Sequence, residues 1–202
     1  MDKKIITIGR QYGSGGREIG EKLAKMLGIA YYDTLHLEKS AKNSGLSSAI
    51  VERYDEQLKD KWLQMSGGGW SSDPNHIPVP VRAALSQFEI ISDIGEKESA
   101  VIVGRCADYV LRNQKNVLSV FIHADIEKRV ERVAARNNIS ETEARKLIRN
   151  TDKHRAAYYE MYTDKEWGSP NSYHLCVDSG AFGLGGTAEL LKNCVQAFGN
   201  RS

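Results

Sequence analysis

The spacing of apolar positions changes several times along this chain, and each change predicts an element. Ile5, Ile6, Thr7 and Ile8 form a compact β-branched run behind charged residues, which predicts a buried strand over residues 5–8. A glycine-rich stretch follows at once. Residues 18–27, EIGEKLAKML, place Ile19, Leu23, Met26 and Leu27 at helical spacing, and Gly28 is a natural stop. Residues 29–32 predict a second short strand that ends at Asp33. Residues 35–61 read as mostly helical, with a polar break at Asn43, Ser44 and Gly45. Residues 66–80, SGGGWSSDPNHIPVP, predict a long flexible loop, in which Trp70 and His76 are expected as packing or surface residues. A helix is predicted over 81–97, a strand over 100–103, the start of a helix at 108–111 and a strand over 117–122. Asp125 reads as the cap of a helix to about Asn137, and Ser140 with Glu143 forms a capping-box pattern opening a helix toward Tyr162. A loop at 167–171, a strand at 173–177 and a helix at 187–198, with Thr187 as its cap, complete the chain. Strands alternate with helices throughout, so the expected architecture is a three-layer α/β domain with a largely parallel sheet.

Composition narrows the partners. Twenty-eight basic and 26 acidic side chains leave a formal net charge of +2, too balanced for a nucleic-acid-binding surface. Basic residues do gather between Lys128 and Arg155, which fits a local anion site. The three cysteines, Cys106, Cys176 and Cys194, are widely separated and form no CxxC pair, so they are expected as buried thiols in a reducing compartment. The opening MDKKIITIGRQ has no signal-like apolar region, and no run approaches 18 apolar residues. No membrane partner and a cytoplasmic location are therefore expected.

The segment with most chemistry is ITIGRQYGSGGREIG, residues 6–20. Strand, glycine turn and helix in that order form a compact anion site from backbone N–H groups and a helix N-terminus. The spacing fails for a dinucleotide fingerprint, because Glu18 stands where the third glycine belongs. Against the standard triphosphate loop GxxxxGK[ST], Arg10 stands at the first glycine, Gly16 at the lysine and Arg17 at the Ser/Thr. Two readings stay open. Arg10 or Arg17 supplies the missing positive charge as a phosphate-gripping fork, or the loop has lost phosphate binding and is structural. The phosphate-contacting set would be Arg10, Gly13, Ser14, Gly15, Gly16 and Arg17.

Other polar residues fall near the carboxyl ends of predicted strands, where open α/β sheets bind ligands. Arg105 follows the 100–103 strand, and Asp108 either orients it or serves the helix start. Asp33 ends the second strand, as a ligand for a substrate hydroxyl or as a turn residue. Arg149, Asp152 and Arg155 recur every three residues and so are expected to share a helix face, either as a surface ion network or as a substrate grip. Arg145, Lys146 and Lys153 add to the positive field there, as a lid over phosphates would need. The five histidines show no metal-ligand spacing, no metal ligand is assigned, and no GxSxG elbow supports hydrolase chemistry.

With these residues in view, the chain resembles the bacterial cytidylate kinase-like proteins, a branch of the P-loop nucleoside monophosphate kinases. The resemblance is carried by IITIGRQYGSGGREIG at 5–20, YYD at 31–33, VIVGRCADYVL at 101–111, TDKHRAAYYEMYTDKEWG at 151–168 and SYHLCVDSG at 172–180. It implies a three-layer P-loop kinase fold over residues 1–202, with a helical nucleotide-monophosphate region at 34–98 and a helical lid at 138–168. It implies transfer of the γ-phosphoryl of ATP, with Mg2+, to a nucleoside monophosphate such as CMP or dCMP. Residue by residue, Arg105 matches an arginine on substrate phosphate, Asp152 and Arg155 match the pair that holds the cytosine ring, and Asp33 matches an aspartate near the sugar and phosphates. Arg17, Arg105 and a lid arginine such as Arg149 would neutralise charge during in-line transfer. The resemblance departs at Gly16, where the true enzymes carry lysine, and at Arg17. Another small-molecule kinase and a non-catalytic nucleotide- or anion-binding module are the alternatives, and a homodimer is a possible assembly.

Overall fold

The computed structural model describes residues 3–41 and 79–199. The predicted loop tip with Trp70 and His76, and most of the predicted 35–61 helix, lie outside the described residues.

Five parallel strands form one sheet in the order β2-β3-β1-β4-β5. They are β1 (Ile5–Arg10), β2 (Ala30–Tyr32), β3 (Ala100–Val103), β4 (Val117–His123) and β5 (Leu175–Asp178). The helices are α1 (Gly16–Leu27), α2 (Thr34–Ala41), α3 (Val79–Lys97), α4 (Ala107–Val110), α5 (Ile126–Asn137), α6 (Glu141–Tyr162) and α7 (Ser179–Gly199). The three-layer α/β expectation is met.

Strand alternation sorts the core into two layers. Ile6, Ile8, Val101, Val103, Leu118, Val120 and Ile122 face α1 and α7, where they meet Ile19, Leu23, Leu191 and Val195. Ile5, Ala100, Ile102, Val117 and Phe121 face the opposite way, onto Leu85, Phe88 and Ile91 of α3 and Tyr159 and Tyr162 of α6. A smaller cluster of Val130, Val133, Ala144 and Ile148 joins α5 to α6 and packs Tyr12.

Several predicted boundaries move for local reasons. β1 continues two residues past Ile8, because Gly9 and Arg10 keep pairing with Phe121 and Ile122 of β4. Arg10 is thus a strand residue, not a loop residue. The caps at Asp125 and Ser140 form as expected: Asp125 accepts from the Glu127 N–H, and Ser140 and Glu143 cap each other reciprocally. Thr187 does not cap the last helix. That helix begins at Ser179, and the Thr187 hydroxyl donates to the Gly183 carbonyl inside it at 2.6 Å. The glycine-rich start hid the helix from sequence reading. It is held by Ser179, whose hydroxyl donates to the carbonyls of Ser14 and His123, and it bends at Gly183 (φ 68°).

Candidate functional site

The glycine loop leaves β1 at its carboxyl end. Gln11 ties it to β4 and to the residue just after it: its N–H donates to Ile122 O at 3.0 Å, and its side-chain oxygen accepts from the Ala124 N–H at 3.2 Å. Gly13 (φ 82°) and Gly15 (φ 78°) adopt left-handed backbone that other residues take at a cost, and so turn the chain into α1. The N–H groups of Gly16, Arg17 and Glu18 form the first turn of α1, where no intrahelical acceptor precedes them. That is an anion cradle. Ser14 belongs to its scaffold: the buried hydroxyl turns inward and donates to Gln11 O at 2.9 Å.

A cavity of about 1040 Å3 opens over the loop, with Gly13, Gly16, Arg17, Asp33, Arg132 and Arg136 in its wall. Arg17, 63% exposed, is ion-paired with Asp33 at 2.7 Å. Asp33 also accepts from the N–H groups of Leu35 and His36 and so caps α2. Burial works against its charge, but the His36 N–H, the Arg17 guanidinium and the His36 ring outweigh burial and hold the carboxyl below the ordinary range. Arg132 donates to Gly13 O at 3.2 Å, and the Arg136 guanidinium lies 5.1 Å from the centre of the Tyr12 ring.

A second cavity, about 550 Å3, adjoins the first beside the carboxyl ends of β1 and β3 (the inner cavity); its wall includes Thr7, Arg105, Asp108, His154, Tyr158 and Tyr159. Arg10 and Arg155 line both cavities. Arg105 is aimed by an unusual turn. Gly104 (φ 84°), Arg105 (φ 55°) and Cys106 (φ 54°) are all left-handed, which costs roughly 1–2 kcal/mol for each non-glycine residue. The Arg105 guanidinium stands 5.1 Å from the centre of the Tyr158 ring. Asp108 accepts a 2.7 Å hydrogen bond from the Tyr159 hydroxyl. Its carboxyl is pushed up, because burial outweighs the help of Tyr159 and Lys165. Thr7, 2% exposed, lies in the wall of this cavity, and its hydroxyl has no hydrogen-bond partner. An unmet buried hydroxyl costs about 1–3 kcal/mol until a ligand or water meets it.

Three guanidinium groups crowd the junction. Burial, then Arg155, then Arg105 lower the Arg10 side chain to about 9. Burial likewise lowers Arg155, with Arg136 and Arg105 adding to it against the opposing pull of Asp152 and Tyr12. A guanidinium stays protonated in proteins, so the lowering marks a charge that burial, and then its cationic neighbours, disfavour.

Helix α6 docks on the loop through two of the residues predicted from sequence. Asp152 accepts from the Tyr12 N–H at 2.7 Å and from Arg129 at 2.6 Å, and Arg155 donates to Arg10 O at 3.0 Å. Asp152 lies behind the loop, in the wall of neither cavity, with both carboxylate oxygens engaged by the protein. Arg149 also lines neither cavity and is exposed. Three-residue steps lag a full helical turn by about 60° each. Arg149 therefore lies about a third of a turn from Arg155, and the expected common face does not extend to it. Arg145 pairs with Glu127 at the surface between α5 and α6. Sequence reading passed over Arg132 and Arg136. Their spacing with Arg129, at i, i+3 and i+7 of α5, is the signal that marks one helix face.

A parallel α/β sheet with a glycine turn and a helix N-terminus at the end of β1 is common to phosphate-binding α/β folds, and here it takes the P-loop kinase form. The chain belongs to the cytidylate kinase-like family, whose sequence profile matches residues 5–181. It is 27% identical to a cytidylate kinase of Pyrococcus horikoshii over 80% of this chain and 72% of that one. It is 25% identical to a cytidylate kinase of Pyrococcus abyssi over 95% and 93% of the two chains. A crystal structure of an uncharacterized protein from Eubacterium ventriosum superposes with a TM-score of 0.78 at 30% identity, covering 97% of this chain and 99% of that one. A shikimate kinase from Bacteroides thetaiotaomicron shares the fold at a TM-score of 0.53 and 12% identity, covering 96% and 98%. The family makes the protein a kinase-type enzyme, and no described helix is long and apolar enough to cross a membrane.

Proposed function

We propose that the protein transfers the γ-phosphoryl group of ATP to a small acceptor that carries its own phosphate, with CMP or dCMP as the favoured acceptors. The observation that carries this reading is the crowding of Arg10, Arg105 and Arg155 where the two cavities meet. Such a cluster is stabilised by a polyanion, and its place between the cavities suits a phosphoryl group in transit.

The loop cavity suits the donor. The N–H groups at the start of α1 hold phosphate oxygens, and Arg132 and Arg136 stand in the opposite wall. The inner cavity suits the acceptor: Arg105 and Arg155 hold its phosphate, and Tyr158 and Trp167 offer faces for a ring. No protein nucleophile is required, because positioning and charge neutralisation account for most of such catalysis. The donor cradle fits ATP. The protein side does not fit the usual magnesium site, because Arg17 replaces the hydroxyl residue that would ligate the ion and is itself held by Asp33. Magnesium would have to be carried by the donor's own phosphate oxygens.

One observation favours a different acceptor within the same kinase class. Asp152, which the family resemblance assigns to the cytosine ring, is engaged by the Tyr12 N–H and Arg129. The test is transfer from γ-labelled ATP with Mg2+ to CMP, dCMP, UMP, AMP, GMP and nucleosides. Turnover with CMP or dCMP above the others supports the proposal. Turnover with another acceptor alone rejects the cytidylate part. No turnover with any of them, alongside ATP binding by titration, favours a binding module.

A further inference from the structure

A standard triphosphate loop has glycine at its first position and lysine at its seventh. In this chain those positions are Arg10 and Gly16, so side chain and vacancy have changed places. The geometry of the loop explains why both changes occur together.

A Cβ built on Gly16 would lie 2.7 Å from Arg10 Cβ and 3.0 Å from its Cγ, closer than real side chains approach. The stem of Arg10 therefore fills the space into which a side chain at position 16 would leave the helix. Nothing in the backbone calls for glycine there. Gly16 has ordinary helical conformation and is absent from the positive-φ residues, unlike Gly13 and Gly15 on either side of Ser14. Glycine at a helical position is disfavoured relative to alanine, so its presence at 16 is accounted for by Arg10. At the other end of the side chain the Arg10 guanidinium lies against Gly104, whose left-handed backbone (φ 84°) already calls for glycine. The Arg10 side chain thus runs in a channel past Gly16 at its stem and Gly104 at its head.

The channel leads to the junction of the cavities. Arg10 lines both, its Nη2 reaches toward Thr34 Oγ1 at 3.5 Å, and its backbone carbonyl is fixed by Arg155. The other candidate, Arg17, is mostly exposed and paired with Asp33.

We infer that Arg10 replaces the loop lysine, reaching the donor phosphates from the last residue of β1 through the space that Gly16 leaves open. This inference rests on the reading of the loop cavity as the donor site. It predicts that the exchange is reversible in a way that neither position shows alone.

The test uses the full chain with two probes, ATP and inorganic tripolyphosphate, measured by titration calorimetry, with melting temperature as a check on folding. Arg10→Ala should weaken both probes by roughly 10- to 100-fold, the range for a lost hydrogen bond to a charged group. Its melting temperature without ligand separates a loss of phosphate binding from the packing lost with the Arg10 stem. Gly16→Lys alone drives a second stem into Arg10 and should bind no tighter than wild type while melting lower. The double exchange Arg10→Gly with Gly16→Lys should recover most of the binding lost in Arg10→Gly. Equal binding by Arg10→Ala and wild type would overturn the inference, as would a double exchange no better than Arg10→Gly. Wild type that binds tripolyphosphate through Arg10 but not ATP would keep this inference and reject the nucleotide donor. Wild type that binds neither probe would reject the inference.

Discussion

The two cavities meet at Arg10 and Arg155, yet they treat charge in opposite ways. Around the loop cavity and behind the loop, three cations have protein acceptors. Arg17 has Asp33, Arg132 has the Gly13 carbonyl, and Arg129 has Asp152 behind the loop. Around the inner cavity Arg10, Arg105 and Arg155 crowd one another, and the Asp108 carboxyl is pushed toward its neutral form. The Thr7 hydroxyl in that wall has no partner. Behind the loop, charge is matched within the protein; at the inner cavity, positive charge is gathered in the wall. Breaking a matched pair such as Arg129 and Asp152 should therefore cost folding, and removing a cation from a cavity wall should cost ligand binding.

The largest effect is expected at Asp152. Its partner Arg129 is only 10% exposed in its side chain, and Asp152 also holds the Tyr12 N–H. Asp152→Ala leaves a buried guanidinium uncompensated and should cost about 3–5 kcal/mol, read by denaturant unfolding. Arg105→Ala, in the wall of the inner cavity, should cost less in unfolding than Asp152→Ala while turnover falls. A large activity loss in Asp152→Ala with wild-type stability would break the division and return Asp152 to the substrate.

The two carboxyls give a smaller effect that differs in sign. Asp33 is held below the ordinary carboxylate value, so its charge stabilises the fold above that value, and this is lost as the pH falls through its lowered folded value. Asp33→Asn should lose no more than about 1 kcal/mol at pH 7, because Arg17 is exposed. The loss should vanish in strong acid. Asp108 is raised, so its charged form burdens the fold at neutral pH, and the burden lifts as the pH falls through its raised value toward the ordinary one. Asp108→Asn should therefore melt higher than wild type at pH 7 and match it below about pH 4. Melting curves of both variants across pH check the opposite signs. A stability loss at neutral pH in Asp108→Asn would mean that Tyr159 requires the charged carboxylate.

Much of the satisfied scaffold was legible in the sequence, because local patterns specify it. The Ile5 to Ile8 run, the capping box at Ser140 and Glu143 and the Asp125 cap each depend on neighbours within a few residues. The glycine turn was visible for the same reason. What escaped depends on partners far along the chain. Asp152 meets a loop residue 140 positions away, and Arg155 meets the last residue of β1, 145 positions away. Pattern alone reads such residues as one polar helix face and cannot say whether that face meets protein or ligand. Arg10 escaped for another reason. Seen beside glycines it reads as a loop residue, and only pairing with β4 extends the strand to it and directs its side chain.

The smallest expected effect compares two arginines on adjacent helices. Arg136 on α5 lines the loop cavity and lies over the Tyr12 ring, which packs beside the turn. Arg149 on α6 is exposed and lines neither cavity. An exposed cation outside the site acts on phosphate only through solvent, where charges more than about 8–10 Å apart are largely screened at physiological salt. Arg149→Ala should leave kcat and the KM for ATP within about twofold of wild type, well under 1 kcal/mol. Arg136→Ala should raise the KM for ATP several-fold, about 1 kcal/mol, with a smaller change in kcat, because it removes a charge that meets donor phosphate in the ground state and transition state alike. Repeating both at raised salt sharpens the contrast, since a contact in the cavity wall is screened less than a remote field. If Arg149→Ala instead lowered kcat, α6 would have to move toward the loop during turnover, bringing a face that now points to solvent over the phosphates. The catalytic arrangement would then differ from the resting one by a rotation or closure of that helix.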